Sequence, residues 1–567
     1  MYGFDIIING KNKLELDDIN YNNIICKNHM IKKFEQDKIF CETAKYIIIL
    51  DGVILNRIEL IKKHGQANWE NTLIYLYEHY NDEFFSVLRG SFAGAFLDKE
   101  KERWIIFGDQ IRSRFIYYSL INNFFCCSER VGNKYDILKN NDLKYNLDTT
   151  NSLLMLTYGF MIDDRTICKE IHKINPGCYI IFQNGNITEK RYYLLNNDTS
   201  KNENITEKEA IEKVDILFRN AVKRQFEKDL EAGYNKHLVA LSGGLDCRMT
   251  SFVAHYIGYT QQLNMTFSQT DYWDEILPKQ MSRDLKHEWI FKALDNGLWL
   301  YDADNITQTT GGNVIYYGTA HGDSMLKYLN FNNLGLFHSG QIGDVVIGSF
   351  IKENEVNKSY ELGNGAYSNK YLKYISNIIP QLNLNKEIGL FYYRAFNGTN
   401  NGLQNVYNYT ETLSPFLDLD FIEGMLSLPI HLRQNHNLYI KWILNKYPKA
   451  AEYIWETTGL KINPPSLRIK NKIIPYAKIP HILKMRLFRI IGIKQKKSNK
   501  KANSMNPIEY YYHSNNELQN YINSYFIYIE KISDTTLKNI LLDIKKDGTA
   551  MEKIQAVTLL SAIKMYY

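Results

Sequence analysis

Leu241-Ser242-Gly243-Gly244-Leu245-Asp246-Cys247 is the stretch whose reading decides the fold of this chain. The apolar run His237-Leu238-Val239-Ala240 before it reads as a buried strand, and Cys247 to His255 after it has helical spacing. Strand, glycine turn and helix in that order predict an α/β nucleotide site. Two consecutive glycines let the backbone approach a phosphate and offer it N–H groups, while the helix adds its positive N-terminal end. Ser242 supplies a hydroxyl donor. Asp246 is spaced to hold a Mg²⁺ bridging phosphate oxygens, because Mg²⁺ takes one or two carboxylates together with phosphates and water. No Gly-Lys-Ser/Thr follows, so this is not the Walker loop.

Upstream, Thr206-Glu207-Lys208-Glu209 opens a helix with apolar residues at 211, 214, 217, 218 and 222, expected to run into Arg224. The polar stretch from Asn196 to Asn204 reads as a connection between domains. Before it the pattern is strand-rich, with Tyr46 to Gly52, Ser91 to Asp98, Trp104 to Asp109 and a run from Tyr179. The last hundred residues read as mostly helical. At 567 residues, 45% hydrophobic and 23% charged, the chain reads as a soluble protein of at least two domains. No stretch has the length to span a bilayer and the start lacks the features of a secretory signal, so the expectation is a cytoplasmic protein. The seven cysteines show no C-x-x-C spacing, which argues against a zinc site or a disulfide framework. The formal charge of +6 is modest, and its lysine-rich run Lys494–Lys501 reads as solvated surface rather than a nucleic-acid patch.

Residues 241–247 resemble the S-G-G-x-D-S loop of ATP pyrophosphatases, which cleave ATP between its α and β phosphates. Phe337-His338-Ser339-Gly340-Gln341-Ile342-Gly343-Asp344 resembles the asparagine synthetase motif S-G-x-G-x-D. Asn264 to Gln269 is similar to that family's adenine-recognising strand, and Ser414-Pro415-Phe416-Leu417-Asp418 to its V-P-F-L-D segment. In the first half, Leu88 to Asp98, Asp109 to Tyr118 and Asp51 to Asn56 resemble segments of a glutaminase domain. The chain is thus identified by resemblance as a member of the asparagine synthetase superfamily.

The resemblance implies an α+β N-terminal nucleophile (glutaminase-like) sandwich domain over 1–195, followed over 205–567 by an α/β ATP pyrophosphatase (adenine nucleotide α-hydrolase-like) synthetase domain with a helical C-terminal part. It further implies that Leu241, Ser242, Gly243, Gly244, Asp246, Cys247, Gln269, Ser339 and Gly340 bind ATP, and that Asp246 and Asp344 share Mg²⁺. The activity implied is amide formation through an acyl-adenylate, with AMP and pyrophosphate released. The carboxylate, small-molecule or peptide, and its amine are left open: β-lactam synthetases, lasso peptide cyclases and ammonia-dependent amide synthesis all fit, as does a non-catalytic scaffold. A homodimer would suit the family.

The pattern breaks at several positions. Tyr2 stands where glutamine-dependent members carry the nucleophilic cysteine, and a phenol with a pKa near about 10 is no substitute for a thiolate. Asp51 replaces the asparagine of the oxyanion hole, where a carboxylate repels developing negative charge. Glutaminase activity is therefore expected to be lost, with the amine coming from a source other than glutamine. Gln341 occupies the position of the family's glutamate or tyrosine and is a poor base. Cys247 replaces a serine. Thr457 falls at the family's adenylate-stabilising lysine, for which Lys461 is the nearest replacement and Lys441 a weaker one.

Overall fold

The computed structural model describes residues 2–469, 472–475 and 504–567, so the run Lys494–Lys501 lies outside the described residues. The first half is a sandwich of two antiparallel six-stranded sheets. One sheet contains β1 (Phe4–Ile8), β2 (Ile19–Tyr21), β3 (Ile24–Asn28), β8 (Tyr117–Ile121), β9 (Phe124–Ser128) and β10 (His172–Lys173), in the order β10-β8-β9-β1-β3-β2. The other contains β4 (Ile39–Glu42), β5 (Tyr46–Ile54), β6 (Gly90–Asp98), β7 (Arg103–Gly108), β11 (Cys178–Gln183) and β12 (Asn186–Arg191), in the order β12-β11-β7-β6-β5-β4.

The side-chain period of two explains the layering. On β5, Ile47 and Ile49 point into the sandwich against Phe4, Ile6 and Phe125, whereas Ile48 and Leu50 point outward against Leu73, Leu76 and Tyr77. Both faces of β5 are buried, which is why its first five residues, Tyr46 to Leu50, are continuously apolar instead of alternating. The outer helix Trp69–Tyr80 starts at Asn68, whose side chain accepts the Asn71 N–H, and its buried residues recur at helical spacing. The helix Val131–Asn140 covers the outer face of the other sheet through Val131, Tyr135 and Leu138.

Beyond Arg191 the character changes. A capping box at Thr206 and Glu209 starts the helix Glu207–Glu231, which runs seven residues past the predicted Arg224. A five-stranded parallel sheet follows: β13 (Lys236–Ala240), β14 (Gln262–Ser268), β15 (Glu288–Ala293), β16 (Leu334–His338) and β17 (Thr412–Leu413), in the order β15-β14-β13-β16-β17. The order reverses at β13, and in such sheets ligands bind outside the carboxyl ends of the strands at this switch point. Asp229 ties the long helix beneath it. Its Oδ2 lies 2.7 Å from both His237 Nδ1 on β13 and His338 Nε2 on β16, and its Oδ1 accepts the Leu336 N–H at 2.7 Å. All three side chains are buried, so this cluster fixes the two central strands next to each other.

The two halves share a core. Leu153, Leu154 and Met155 of the helix Thr149–Tyr158 pack with the C-terminal helix Ala550–Tyr566, and Tyr135 of the sandwich stacks on Tyr566 at 3.9 Å. A short hairpin, Ser466–Ile469 with Lys472–Pro475, precedes the C-terminal helices. Among the described residues no helix is long and apolar enough to cross a membrane.

Candidate active site

The loop after β13 and the loop after β16 meet at the switch point. A Cβ on Gly340 would lie 2.4 Å from the Cys247 backbone nitrogen, and one on Gly343 would lie 2.4 Å from Asp246 Cγ. Only glycine permits this interlock. The Asp344 N–H donates to Asp246 Oδ2 at 2.8 Å, and the buried Tyr439 hydroxyl donates to Asp246 Oδ1 at 3.1 Å, so the Asp246 carboxylate is held from both sides. Ile342, between the two glycines, has φ +64°, a conformation that costs a β-branched residue about 1–3 kcal/mol. Its side chain is buried in the core, a gain of similar size that keeps the loop in place.

Burial and the neighbouring Asp344 carboxylate push the Asp246 carboxyl up to about 8, against the Asp344 N–H and the Tyr439 hydroxyl. Two carboxylates on touching loops, one of them disfavoured as an anion, form a donor set that a hard divalent cation would relieve, so the residues fit Mg²⁺. Cys247 is pushed up to about 11 by burial and by Asp246, which makes it a thiol and not a nucleophilic thiolate.

These loops line a cavity of about 560 Å³. Of the residues singled out from the sequence, Ser242, Gly244, Asp246, Cys247, Ser339, Gly340, Gln341 and Asp344 form part of its wall. Leu241, Gly243, Gln269 and Lys461 do not. Leu241 is buried, and its backbone pairs with Met265 and the Thr266 hydroxyl. The Gly243 N–H, expected to be free for phosphate, donates to the buried Asp274 Oδ1 at 2.6 Å, and the Gly244 N–H donates to Ser242 Oγ at 3.2 Å. Gln269 Nε2 donates to the Ser504 carbonyl at 2.6 Å. Lys461 is exposed just past the bridge between Trp455 and Leu460, and Lys441 is paired with Glu207. Gln341 acts as a donor: its Nε2 reaches the Thr399 carbonyl at 2.5 Å.

Arg248 is a residue the sequence reading passed over. Fully buried, it donates to the carbonyls of Gly243 at 2.8 Å, Ile454 at 2.6 Å and Ala450 at 3.1 Å, clamping the glycine turn to the segment carrying Trp455 and Glu456. Its position directly after Cys247 was the one signal the sequence carried.

Tyr2 is buried, with its ring 5.5 Å from that of Tyr407 and the guanidinium groups of Arg114 and Arg130 at 5.8 and 5.6 Å. Asp51, expected from the sequence to repel a developing oxyanion, is buried and ion-paired. Burial alone would raise its carboxyl, but Arg114 and Lys38 outweigh burial and hold it below the usual carboxylate range. Arg114 pairs with Asp51, with Glu129 at 2.8 Å and with Glu411 at 2.6 Å; Lys38 pairs with Asp51 at 2.9 Å and Glu411 at 2.8 Å. Glu411 immediately precedes β17, so this buried cluster joins the two halves.

Residues 34–193 match the family described as a glutamine amidotransferase domain. Asparagine synthetase [glutamine-hydrolyzing] 1 of Bacillus subtilis (strain 168) is 26% identical over 285 residues, which are 46% of this chain and 42% of that protein. Amidase chyE of Penicillium rubens is 25% identical over 177 residues, 31% of this chain and 24% of that one. The chain thus spans less than half the length of these curated relatives. Among solved structures, the allosteric regulatory enzyme of purine biosynthesis covers 42% of this chain and 54% of its own, at 10% identity and a TM-score of 0.24, too low to carry an argument. Residues 34–193 thus match a glutamine amidotransferase domain, and just under half of the chain is similar to part of an asparagine synthetase.

Proposed function

We propose that this chain is an ATP-dependent carbon–nitrogen ligase that activates a carboxylate as an acyl-adenylate and passes the acyl group to an amine not drawn from glutamine. The observation that carries the reading is the interlock of the Ser242–Cys247 and Ser339–Asp344 loops at the carboxyl ends of adjacent parallel strands, with Asp246 and Asp344 beside one cavity. ATP would lie across these loops, and the two carboxylates would hold Mg²⁺, which supplies charge neutralisation for the departing pyrophosphate. The chain's own part is positioning: Tyr439 and the Asp344 N–H orient Asp246, and Arg248 and Asp274 fix the shape of the glycine turn. The substrate carboxylate attacks the α-phosphorus, the bond to the β-phosphate oxygen breaks, and pyrophosphate leaves. The amine nitrogen then attacks the acyl carbon and AMP departs, with the amine proton passing to solvent or phosphate because Gln341 is a donor.

The proposed source of the amine rests on the first half. A glutaminase needs a free nucleophile and an open oxyanion pocket. Here the candidate positions hold a packed phenol ring and a closed set of ion pairs. Incubation with Mg²⁺, ATP, a panel of carboxylic acids, and glutamine or ammonia tests both parts by chromatography of the nucleotides. The reading predicts AMP and pyrophosphate with ammonia or an added amine, and no glutamate from glutamine. ADP and phosphate as products, or glutamate release, would count against it.

A further inference from the structure

The cavity extends well past its polar centre. Met265, Phe267, Leu326, Phe337 and Val406 belong to one apolar cluster beside β13 and β14, which in the proposed reading takes the flat base of ATP. A second stretch of wall belongs to a different packing group. Phe160 bridges to Val314; a Cβ on Gly159 would meet Tyr367 at 3.1 Å and Ile315 at 3.5 Å; and one on Gly398 would lie 2.6 Å from the Phe160 ring. Phe160, Val314 and Ile315 belong to one buried cluster, and the exposed Tyr367 joins them in lining the cavity. This stretch of wall adjoins the second loop, because Gln341 is bonded to Thr399, the neighbour of Gly398. Phe160 and Gly159 come from the segment before the polar connection, so the wall combines residues of both halves of the sequence.

One cation stands in this wall. Arg394 lies against Gly365, where a Cβ would come within 2.8 Å of its Cδ, and its guanidinium sits 5.6 Å from the Phe350 ring. The side chain is exposed and makes no ion pair and donates no hydrogen bond among the described residues. By contrast, the arginines at the glycine turn and in the buried cluster, Arg248 and Arg114, are committed to carbonyls and carboxylates. A guanidinium with its fork unoccupied, at the edge of an apolar surface, is suited to bind a planar anion through two parallel hydrogen bonds.

The carboxylate to be adenylated has to reach the α-phosphate beside Ser242 and Asp246, and Arg394, on a separate segment of the same wall against Gly365, is available to a second anion. We infer that the lobe formed by Phe160, Val314, Ile315 and Tyr367 selects a carboxylic acid with an apolar body and a second carboxylate, and that Arg394 binds that second carboxylate. This rests on the adenylating reading above. A cavity of about 560 Å³ suits a small molecule of this kind beside the nucleotide.

The test is ATP–pyrophosphate exchange with Mg²⁺ across acids that differ in one feature: benzylsuccinate with both the apolar body and the second carboxylate, 3-phenylpropanoate lacking the second carboxylate, and succinate lacking the apolar body. Each is run with the full chain and with Arg394→Gln and Arg394→Lys. Benzylsuccinate is expected to give the lowest KM. Arg394→Gln should raise that KM about 10- to 100-fold while leaving the KM for ATP and the exchange with 3-phenylpropanoate unchanged, and Arg394→Lys should recover part of the loss. Equal KM values for benzylsuccinate and 3-phenylpropanoate would overturn the inference and leave the adenylating reading standing. A rise in the KM for ATP with every acid would overturn it too, by assigning Arg394 to the nucleotide. Exchange with no acid, combined with no ATP binding by calorimetry, would instead remove the adenylating reading and this inference with it.

Discussion

Replacing Glu129 with glutamine should make the protein relatively more stable as the pH rises. Glu129 belongs to a buried group of three carboxylates, Asp51, Glu129 and Glu411, shared by two cations, Arg114 and Lys38. One negative charge is in excess, and burying it unpaired is costly. Glu129 is the carboxyl that escapes most easily, because its only ion-pair partner among the described residues is Arg114 at 2.8 Å and its Oε1 is buried without a hydrogen bond. Burial, together with the charges of Asp51 and Glu411, pushes it up to about 8 despite Arg114. In the unfolded chain an ordinary glutamate ionises near about 4.3. Between these values the folded protein holds a proton that the unfolded chain has released. The contribution is therefore full below the unfolded pKa and is lost, at about 1.4 kcal/mol per pH unit, as pH rises towards the folded one. Between about pH 5.5 and pH 7.5 this one group removes about 2–3 kcal/mol, and Glu129→Gln removes none. For a unit of the size of the sandwich, that corresponds to a relative rise of about 5–10 °C in the variant's transition. Thermal melts of both proteins at the two pH values, compared as a difference of differences, measure it. An unchanged difference between variant and wild type at the two pH values would refute the reasoning, since Glu129 would then titrate alike in both states.

Asp246→Asn should lower pyrophosphate formation by at least about 100-fold while leaving the melting temperature without metal unchanged or raised, because the amide is neutral in that buried place without having to hold a proton; activity assays and melts separate the two effects. For the same reason Mg²⁺ with ATP should stabilise the wild type more at about pH 8.5 than at about pH 6.5, since the Asp246 carboxyl must lose its proton to hold a cation; thermal shift at the two pH values reads this directly. Gly340→Ala should abolish ATP binding by calorimetry, as its Cβ would sit 2.4 Å from the Cys247 nitrogen and push the two loops apart. Asp229→Asn should cost about 3–5 kcal/mol by leaving the buried His237 and His338 without their shared acceptor, seen as a lower denaturant midpoint with the loop sequences untouched.

How much of this was legible in the sequence follows from the range of the interactions concerned. The strand β13, the glycine turn and the helix Asp246–Tyr256 are local, and their apolar and glycine pattern is visible within about twenty residues. The capping box at Thr206 was likewise readable, although the helix continues past Arg224 to Glu231 because its later residues pack under the sheet. The four strands quoted from the first half lie close to their expected bounds. The other eight strands of the two sheets were not named, and of these β2 and β10, at three and two residues, carry no period. The site divided in the same way. Residues on the two loops meet because adjacent parallel strands deliver them. Gln269 and Lys461, assigned through resemblance, are placed by contacts with Ser504 and the bridged segment after Trp455 that no motif encodes. The Arg114–Glu411 pair joins positions nearly three hundred residues apart, and the wall built from Phe160, Val314, Tyr367 and Arg394 draws on four separated segments. Such sites emerge only from packing.

The central claim, an acyl-adenylate formed at the interlocked loops, is tested most directly by isotope transfer. The acid that supports pyrophosphate exchange is labelled with heavy oxygen in its carboxylate, allowed to turn over with ATP, Mg²⁺ and an amine, and the nucleotide product is weighed by mass spectrometry. The account predicts one heavy oxygen in AMP, because the carboxylate oxygen that attacks the α-phosphorus leaves with it. Label found in inorganic phosphate, with ADP as the nucleotide product, would contradict it.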